Sequence, residues 1–219
     1  MSDPFNYDVI QTYLTSLVPP RPAEMQAMEA YAEKTDFPII GAAAGYACYQ
    51  AARMLGAKSV FEMGSGYGYS TAWFAKAVQE NGGGVVHHVV WDAKLSAMAR
   101  EHLANLGYAD LIRYQVAEAV ETLRHMPGPF DLIFNDIEKK DYPASLPLIK
   151  EKLRPGGLLI IDNLLWHARI FNRSDKSEAT EAIRRFTRDI TTDPAWIVNL
   201  IPVRDGVLVA YKNPAPPAG

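Results

Sequence analysis

The chain has 219 residues, and its 48% hydrophobic and 21% charged residues are ordinary for a globular protein. This composition excludes a disordered, collagen-like or coiled-coil chain, and the formal net charge of −3 gives no general attraction to nucleic acid or anionic membranes. The single cysteine, Cys48, excludes an intrachain disulfide and a cysteine-based zinc or iron–sulfur site.

Signals for membrane insertion and secretion are not found in the sequence. No apolar run approaches the roughly 20 residues that a membrane-spanning helix needs. Residues 1–5 lack the basic start and apolar stretch of a signal peptide. We therefore expect a cytoplasmic protein without a membrane partner.

The first part of the chain, residues 1–57, is predicted to be a helical extension. Apolar residues at helical spacing predict a helix over 7–17, which a pair of prolines stops. A first-turn proline opens a second helix over 22–34, and an alanine-rich segment predicts a third, buried helix over 41–55.

From residue 58 onward, short apolar strands alternate with helices. We predict strands over 60–63, 85–91, 111–116, 130–135, 158–161, 196–202 and 207–211. We predict helices over 70–79, 94–106, 119–125, 142–153 (interrupted near Pro147) and 177–190. Such alternation is typical of a parallel sheet covered on both faces, and the Asp-Gly pair before the last strand predicts a hairpin.

These elements predict one α/β domain with a doubly wound, Rossmann-like architecture. We expect a mostly parallel, seven-stranded sheet that ends in an antiparallel hairpin. This α/β core would occupy residues 58–212, between the helical extension and a flexible, proline-rich tail over 213–219.

A glycine-rich turn, Glu-Met-Gly-Ser-Gly-Tyr-Gly-Tyr-Ser over 62–70, follows the first strand and opens a helix. Doubly wound sheets bind ligands at such a point. The turn has neither the dinucleotide fingerprint nor the end of a phosphate loop, so we do not expect it to grip phosphates. Glu62 suits a cationic amine and Ser70 suits a carboxylate, a pair that fits an amino-acid zwitterion. A tight turn without a ligand is the alternative.

Three polar side chains follow two strands of the predicted sheet. Asp136 ends one strand, and Asp162 and Asn163 end the next. Neighbouring strands lie about 4.8 Å apart, so these side chains can converge on a hard cation such as Mg²⁺. Lys139, three residues after Asp136, could take a proton from a hydroxyl bound there. The alternative is that the two aspartates cap the helices that follow.

These motifs together resemble the cation-dependent, S-adenosylmethionine-dependent O-methyltransferases of the catechol and caffeoyl-CoA type. The matching stretches are the glycine turn, Phe-Asp-x-x-Phe-x-Asp-x-x-Lys-x-x-Tyr over 130–142 and Leu-Arg-Pro-Gly-Gly-x-x-x-x-Asp-Asn over 153–163. The resemblance covers roughly residues 40–170. It implies that the α/β core is a methyltransferase domain, which in this family is typically homodimeric.

The resemblance implies which residues hold the cofactor. The methionine part of S-adenosylmethionine would be held by Glu62, Gly64, Gly66 and Ser70. Trp91 would pack on the adenine ring and Glu118 would lie near it. The family usually places an acidic residue for the ribose at the end of the second strand, where this chain has Val90. Asp92, two residues later, is the candidate substitute.

The resemblance also implies the chemistry. Asp136, Asp162 and Asn163 would bind Mg²⁺ or another divalent cation such as Mn²⁺ or Ca²⁺, and Asp136 would also lie near the cofactor's amino group. The cation would chelate two vicinal oxygens of the acceptor, and Lys139 would be the general base for in-line methyl transfer. A loop over 166–171 could form a wall or lid for the acceptor.

We favour a small aromatic diol, catechol-like or hydroxycinnamoyl, as the acceptor. The amino-terminal stretches over 13–22, 29–33 and 37–39 also resemble a bacterial branch in which some members methylate 5-hydroxyuridine of transfer RNA, so tRNA is the alternative. Acidic residues interleave with the basic ones around the helix over 177–190, as on a solvated face. Two other classes are a nicotinamide-dependent oxidoreductase, which the glycine spacing disfavours, and a cofactor-binding module without catalysis.

Overall fold

A computed structural model describes residues 6–214 of the chain. The helices are α1 (Tyr7–Ser16), α2 (Ala23–Thr35), α3 (Gly41–Leu55), α4 (Tyr69–Glu80), α5 (Ala93–Asn105), α6 (Ala119–His125), α7 (Tyr142–Lys152) and α8 (Glu178–Thr192). The strands are β1 (Ser59–Met63), β2 (Val85–Val90), β3 (Ile112–Val116), β4 (Phe130–Asn135), β5 (Leu153–Ile161), β6 (Trp196–Ile201) and β7 (Val207–Lys212). Short 3₁₀ turns occupy Ala109–Leu111, Lys139–Asp141 and Trp166–Phe171.

The strands form one seven-stranded sheet in the order β3-β2-β1-β4-β5-β7-β6. Neighbouring strands from β3 to β5 are parallel, whereas β7 is antiparallel to both β5 and β6. The predicted fold class is therefore confirmed. The chain reverses its winding between β1 and β4, so the carboxyl ends of these two central strands flank the crevice where such sheets bind ligands.

Both faces of the sheet are buried because helices cover each of them. On one face, side chains of α2, α3 and α4 form a cluster that includes Met28, Ala44 and Phe74. On the other face, α6, α7 and α8 contribute a cluster that includes Leu123 and Phe186. Burial on both sides explains why the central strands read as continuous apolar runs instead of alternating ones.

The amino-terminal helices differ in how firmly they pack. The alanine-rich α3 packs so closely on α4 that a Cβ at Gly45 would overlap the indole of Trp73. In contrast, α1 contains no buried residue. It is attached at its polar side, because Tyr7 and Gln11 hydrogen-bond the backbone of the loop between β6 and β7.

The predicted interruption of α7 and the predicted start of β5 were wrong. Helix α7 runs unbroken through Pro147, because the buried side chains of Leu146, Leu148 and Ile149 hold it against the sheet around an exposed proline. Strand β5 begins at Leu153, five residues before the predicted start. Its glycine-containing first part belongs to the ladder because the register with β4 shifts there.

Other boundaries agree within a residue or two, and α3 and α6 have the predicted limits. The predicted tail over 213–219 lies outside the described residues beyond Pro214. Within the residues that the structure describes, no helix has the length and apolar character needed to cross a membrane.

Candidate active site

The glycine turn joins the carboxyl ends of β1 and β4. The backbone of Gly64 has a φ of +86°, and a Cβ there would overlap the carbonyl oxygen of Asp136. The Asp136 amide donates a hydrogen bond to the carbonyl of Met63 at 2.9 Å. Only glycine allows this close approach, so the turn brings the first and fourth strands to one point.

Glu62, the last but one residue of β1, is completely buried. Its Oε2 atom accepts a hydrogen bond from the hydroxyl of Thr71, whereas its Oε1 atom is buried without a hydrogen-bond partner. Burial raises the pKa of Glu62 to about 7, and the neighbouring hydroxyls of Ser70 and Thr71 oppose that shift. A buried carboxylate with one free oxygen fits a cationic group, such as the amine that we predicted here.

Two residues that the sequence analysis did not assign to the site support Glu62. The Oγ1 atom of Thr71 lies 3.0 Å from Nδ1 of His88, a buried histidine of β2. Burial lowers the pKa of His88 to about 3, so the ring is neutral. Because the proton of Thr71 is donated to Glu62, Nδ1 of His88 carries the hydrogen that Thr71 accepts. The alternation of side chains along β2 was the sequence signal that only one of its two adjacent histidines faces α4.

A cavity opens between the glycine turn and the segment that links α2 to α3. Its lining includes four residues that we predicted to bind the cofactor: Gly64, Gly66, Ser70 and Asp136. The linking segment, residues 37–40, forms the opposite wall. The sequence analysis did not assign residues 37–40 to the site, because they reach the turn only through the packing of α3 on α4.

The predicted adenine and ribose residues lie at the ends of β2 and β3. Trp91 is 83% exposed, which leaves its indole free to cover a flat ring. The Oδ1 atom of Asp92 accepts from two backbone amides at the start of α5, at 2.7 and 3.1 Å. Both carboxylate oxygens of Glu118 cap α6 in the same way. The roles of all three residues toward the cofactor therefore stay predictions. The observed role of Asp92 and Glu118 is helix capping.

The predicted dicarboxylate is present where β4 and β5 end side by side. The Asp162 amide lies 3.4 Å from the carbonyl oxygen of Asn135, the residue before Asp136. Burial and then the negative charge of Asp136 raise the pKa of Asp162 to about 7. The Oδ1 atom of Asp162 is buried without a hydrogen-bond partner. Two neighbouring carboxylates with an unpaired oxygen fit a divalent cation.

The helix-capping alternative for these aspartates is wrong. The 3₁₀ turn after β4 is capped at Glu138, the helix α7 at Asp141 and the turn after β5 at Leu165. None of these caps is Asp136 or Asp162, so both carboxylates are available for another partner.

Asn163 completes the predicted ligand set at a backbone φ of +64°. Its Nδ2 atom lies 3.4 Å from Oδ2 of Asp205, whose Oδ1 accepts from the backbone amide of His167 at 2.6 Å. The amide oxygen of Asn163 is thereby left as an acceptor. Asp205 entered the sequence analysis only as a hairpin signal. Among residues 6–214, no group of three His, Cys, Asp or Glu side chains is placed to hold a metal ion, and the predicted set contains only two carboxylates.

Lys139 lies beside the two aspartates, as its predicted role requires. Its Nζ atom is 2.6 Å from Oδ1 of Asp136 and donates to the hydroxyl of Tyr142 at 3.0 Å. The buried Tyr142 in turn donates to the carbonyl oxygen of Asp162 at 3.1 Å. With a side chain only 12% exposed, Lys139 is held by both strand ends instead of extending into solvent.

A family model described as O-methyltransferase matches residues 29–213. The chain belongs to this family. The catechol O-methyltransferase of Niastella koreensis is 28% identical over 168 residues, which cover 73% of this chain and 75% of that protein. A catechol O-methyltransferase of Mycobacterium tuberculosis is 32% identical over 129 residues, 58% of each chain. The crystal structure of the O-methyltransferase TomG from Streptomyces achromogenes has a TM-score of 0.83 at 23% identity, covering 94% and 96% of the two chains.

In this O-methyltransferase, the loop after β5 is held by the helix that we considered as an RNA-binding surface. Arg184 of α8 donates to the carbonyl oxygens of Ile170 at 3.0 Å and of Asn172 at 2.6 Å. Arg169 of the loop bonds Asp175 at 2.7 Å. Arg184, one of the basic residues of that helix, is therefore structural, and it positions the loop that follows the predicted metal ligands.

Proposed function

We propose that this O-methyltransferase transfers a methyl group from S-adenosylmethionine to one hydroxyl of a small aromatic vicinal diol, with the help of a divalent cation. One observation carries the proposal. Asp136 and Asp162 lie at adjacent strand ends beside the glycine turn, and Lys139 bonds the first of them. This arrangement brings a candidate cation site, a candidate base and a candidate cofactor pocket to one edge of the sheet.

The cofactor assignment is supported by the free oxygen of Glu62 and by the cavity under residues 37–40. Glu62 would receive the amino group of the methionine part, and the backbone of Gly64 and Gly66 would allow close approach. TomG was crystallised in complex with S-adenosylmethionine, which supports the same cofactor here. When bound, the cofactor supplies an activated methyl group.

The cation would be held by Asp136, Asp162 and Asn163, an all-oxygen set that suits Mg²⁺. A cation bound there would lower the pKa of an acceptor hydroxyl. Asp205 holds the amide of Asn163 by its nitrogen, which keeps the better ligand, the oxygen, available. Tyr142 fixes the backbone of Asp162 relative to Lys139.

Lys139, as a neutral amine that has already lost its own proton, would accept the proton of the acceptor hydroxyl at Nζ. As that O–H bond breaks, the oxygen forms a bond to the methyl carbon, and the bond between that carbon and sulfur breaks. Because Lys139 is little exposed and is held by Asp136 and Tyr142, its nitrogen is fixed where the acceptor would lie. Such positioning contributes most of the acceleration in this kind of transfer.

The proposal is tested by a methyl-transfer assay with labelled cofactor. A panel of catechols and undermethylated tRNA are compared, each with Mg²⁺ and with a chelator. We expect methylated catechols only when the cation is present. Full activity in chelator would refute the metal mechanism, and transfer to tRNA without transfer to any catechol would refute the acceptor class.

A further inference from the structure

Arg204, at the tip of the hairpin between β6 and β7, is an unusual residue for its position. Its φ is +47°, in the left-handed region that disfavours residues with a side chain. Glycine would adopt this conformation without strain, and Gly206, two residues later, does so at +86°. An arginine in a strained position calls for a function that its side chain supplies.

The guanidinium of Arg204 is held beside the candidate active site. Its Nη1 atom donates to the carbonyl oxygen of Ile39 at 2.5 Å, and Ile39 lines the same cavity as Asp136. The positive charge of Arg204 lowers the pKa of both Asp136 and Asp162, although burial outweighs it in each. Arg204 therefore lies within electrostatic reach of both proposed cation ligands.

The surroundings of Arg204 fix it in place. The hydroxyl of Tyr7 donates to its carbonyl oxygen, and its amide donates to Oε1 of Gln11 at 2.6 Å. A Cβ at Gly41 would overlap the guanidinium, so the first residue of α3 leaves space for it. Helix α1, the residues before α3 and the hairpin thus converge to hold one cationic side chain.

This guanidinium keeps unused hydrogen-bonding capacity. A guanidinium has five N–H donors in a planar fork that matches a carboxylate. Within residues 6–214, Arg204 forms no ion pair with an acidic side chain, and its side-chain bond to Ile39 uses Nη1. The neighbouring carboxylate of Asp205 is engaged by Asn163 and His167.

We propose that Arg204 binds an anionic substituent of the acceptor, so that the preferred substrate is a vicinal diol that carries a carboxylate. This inference rests on the proposed function, because Arg204 would meet only the substituents of a diol that is held at Asp136 and Asp162. An exposed arginine fixed beside the cavity by its bond to Ile39 would select acceptors that carry a negatively charged substituent. The alternative is that Arg204 only balances the charge of the two aspartates.

The test compares two acceptors of nearly equal size, 3,4-dihydroxybenzoate and the neutral 3,4-dihydroxybenzamide. The wild-type protein should have the higher kcat/KM for the benzoate. In Arg204→Met, the ratio of the two kcat/KM values should fall about tenfold to a hundredfold, through KM of the benzoate, as expected for a lost charge-assisted bond. Arg204→Lys should restore part of that ratio, since it retains the charge.

Two controls separate binding from folding. Arg204→Gly removes the side chain and relieves the backbone strain, so the ratio should fall without a loss of melting temperature. Arg185→Met removes an exposed arginine of α8, outside the hairpin, and should leave the ratio unchanged.

Each outcome has a distinct meaning. If both diols are methylated and no Arg204 variant changes their ratio, Arg204 is not a specificity residue, although the proposed function holds. If the activity toward both acceptors changes equally in Arg204→Met and less Mg²⁺ is needed, Arg204 only balances the charge of the two aspartates and the inference is wrong. If the wild-type protein methylates neither diol, the proposed function fails and this inference fails with it.

Discussion

The candidate site contains two kinds of carboxylate, one completely buried and one partly exposed. Glu62 lies against α4 with only neutral hydroxyls around it, and burial raises its pKa to about 7. Asp136 also has a raised pKa, but Lys139 bonds it at 2.6 Å and opposes the effect of burial. A buried acid without a cation holds a proton, whereas a paired acid keeps its charge. In the free protein Glu62 therefore has no cationic partner, whereas Asp136 is paired with the ammonium group of Lys139.

The largest effect should come from removing the ammonium group of Lys139, which pairs with Asp136. Lys139→Met should lower kcat about 10²–10⁴-fold, the contribution of a general base, while cofactor binding is retained. Turnover is measured with labelled cofactor, and binding by calorimetry. Lys140→Met is the matched control, since the neighbouring lysine is exposed and should not matter. Similar activity in both variants would remove Lys139 from the mechanism.

Glu62→Gln should weaken cofactor binding about tenfold to a hundredfold, because a charge-assisted bond to the amine is lost. The same change should alter the pH dependence of stability. Folded Glu62 keeps its proton between pH 4.5 and about 7, where the unfolded chain has lost it, so the free energy of unfolding falls as pH rises through that range. The decrease is about 3 kcal/mol for a pKa raised from 4.5 to about 7.

Urea denaturation of the cofactor-free protein at pH 5 and pH 8 checks this prediction. The wild-type protein should lose stability at the higher pH, and Glu62→Gln should lose about 3 kcal/mol less. Added cofactor should stabilise the wild-type protein more at pH 8 than at pH 5. An equal pH dependence in the two proteins would show that Glu62 is ionised in the free state, which contradicts the comparison with Asp136.

The smallest effect should come from Thr71→Val, which keeps the shape of the side chain and removes the hydroxyl between Glu62 and His88. Loss of one neutral hydrogen bond should weaken cofactor binding about fivefold, equivalent to about 1 kcal/mol. Calorimetric titration with the cofactor measures it. Thr191→Val is the control away from the site, because the hydroxyl of this exposed threonine bonds only carbonyl oxygens of its own helix. Unchanged binding in Thr71→Val would show that Thr71 does not support Glu62.

Local sequence patterns were enough to predict the central fold and the core of the site. The strand–helix alternation predicted the sheet, since strands of a parallel sheet must be apolar and joined by helices. Asp136, Asp162 and Lys139 could be placed because they directly follow strands that are neighbours in the sheet. Their relation depends on short stretches of chain and on the regular spacing of strands.

Residues far apart in the chain decided the rest. Thr71 and His88 meet only because α4 packs on β2, and residues 37–40 face the glycine turn only because α3 packs on α4. The register shift that lengthens β5 depends on its pairing with β4. A sequence pattern reports the preferences of neighbouring residues, whereas these contacts depend on side-chain packing across the whole domain.

The sequence by itself determined the order of the strands and helices, the glycine turn and the identity of the residues at the central strand ends, because each follows from local periodicity or from a short motif. Only the tertiary structure decided that Asp205 holds Asn163 and that Arg204 bonds Ile39 at the wall of the candidate cofactor cavity. Both come from a hairpin about forty residues later in the chain. Their position depends on β7 lying beside β5 and on α1 fixing the hairpin, and neither contact leaves a periodic signal in the sequence.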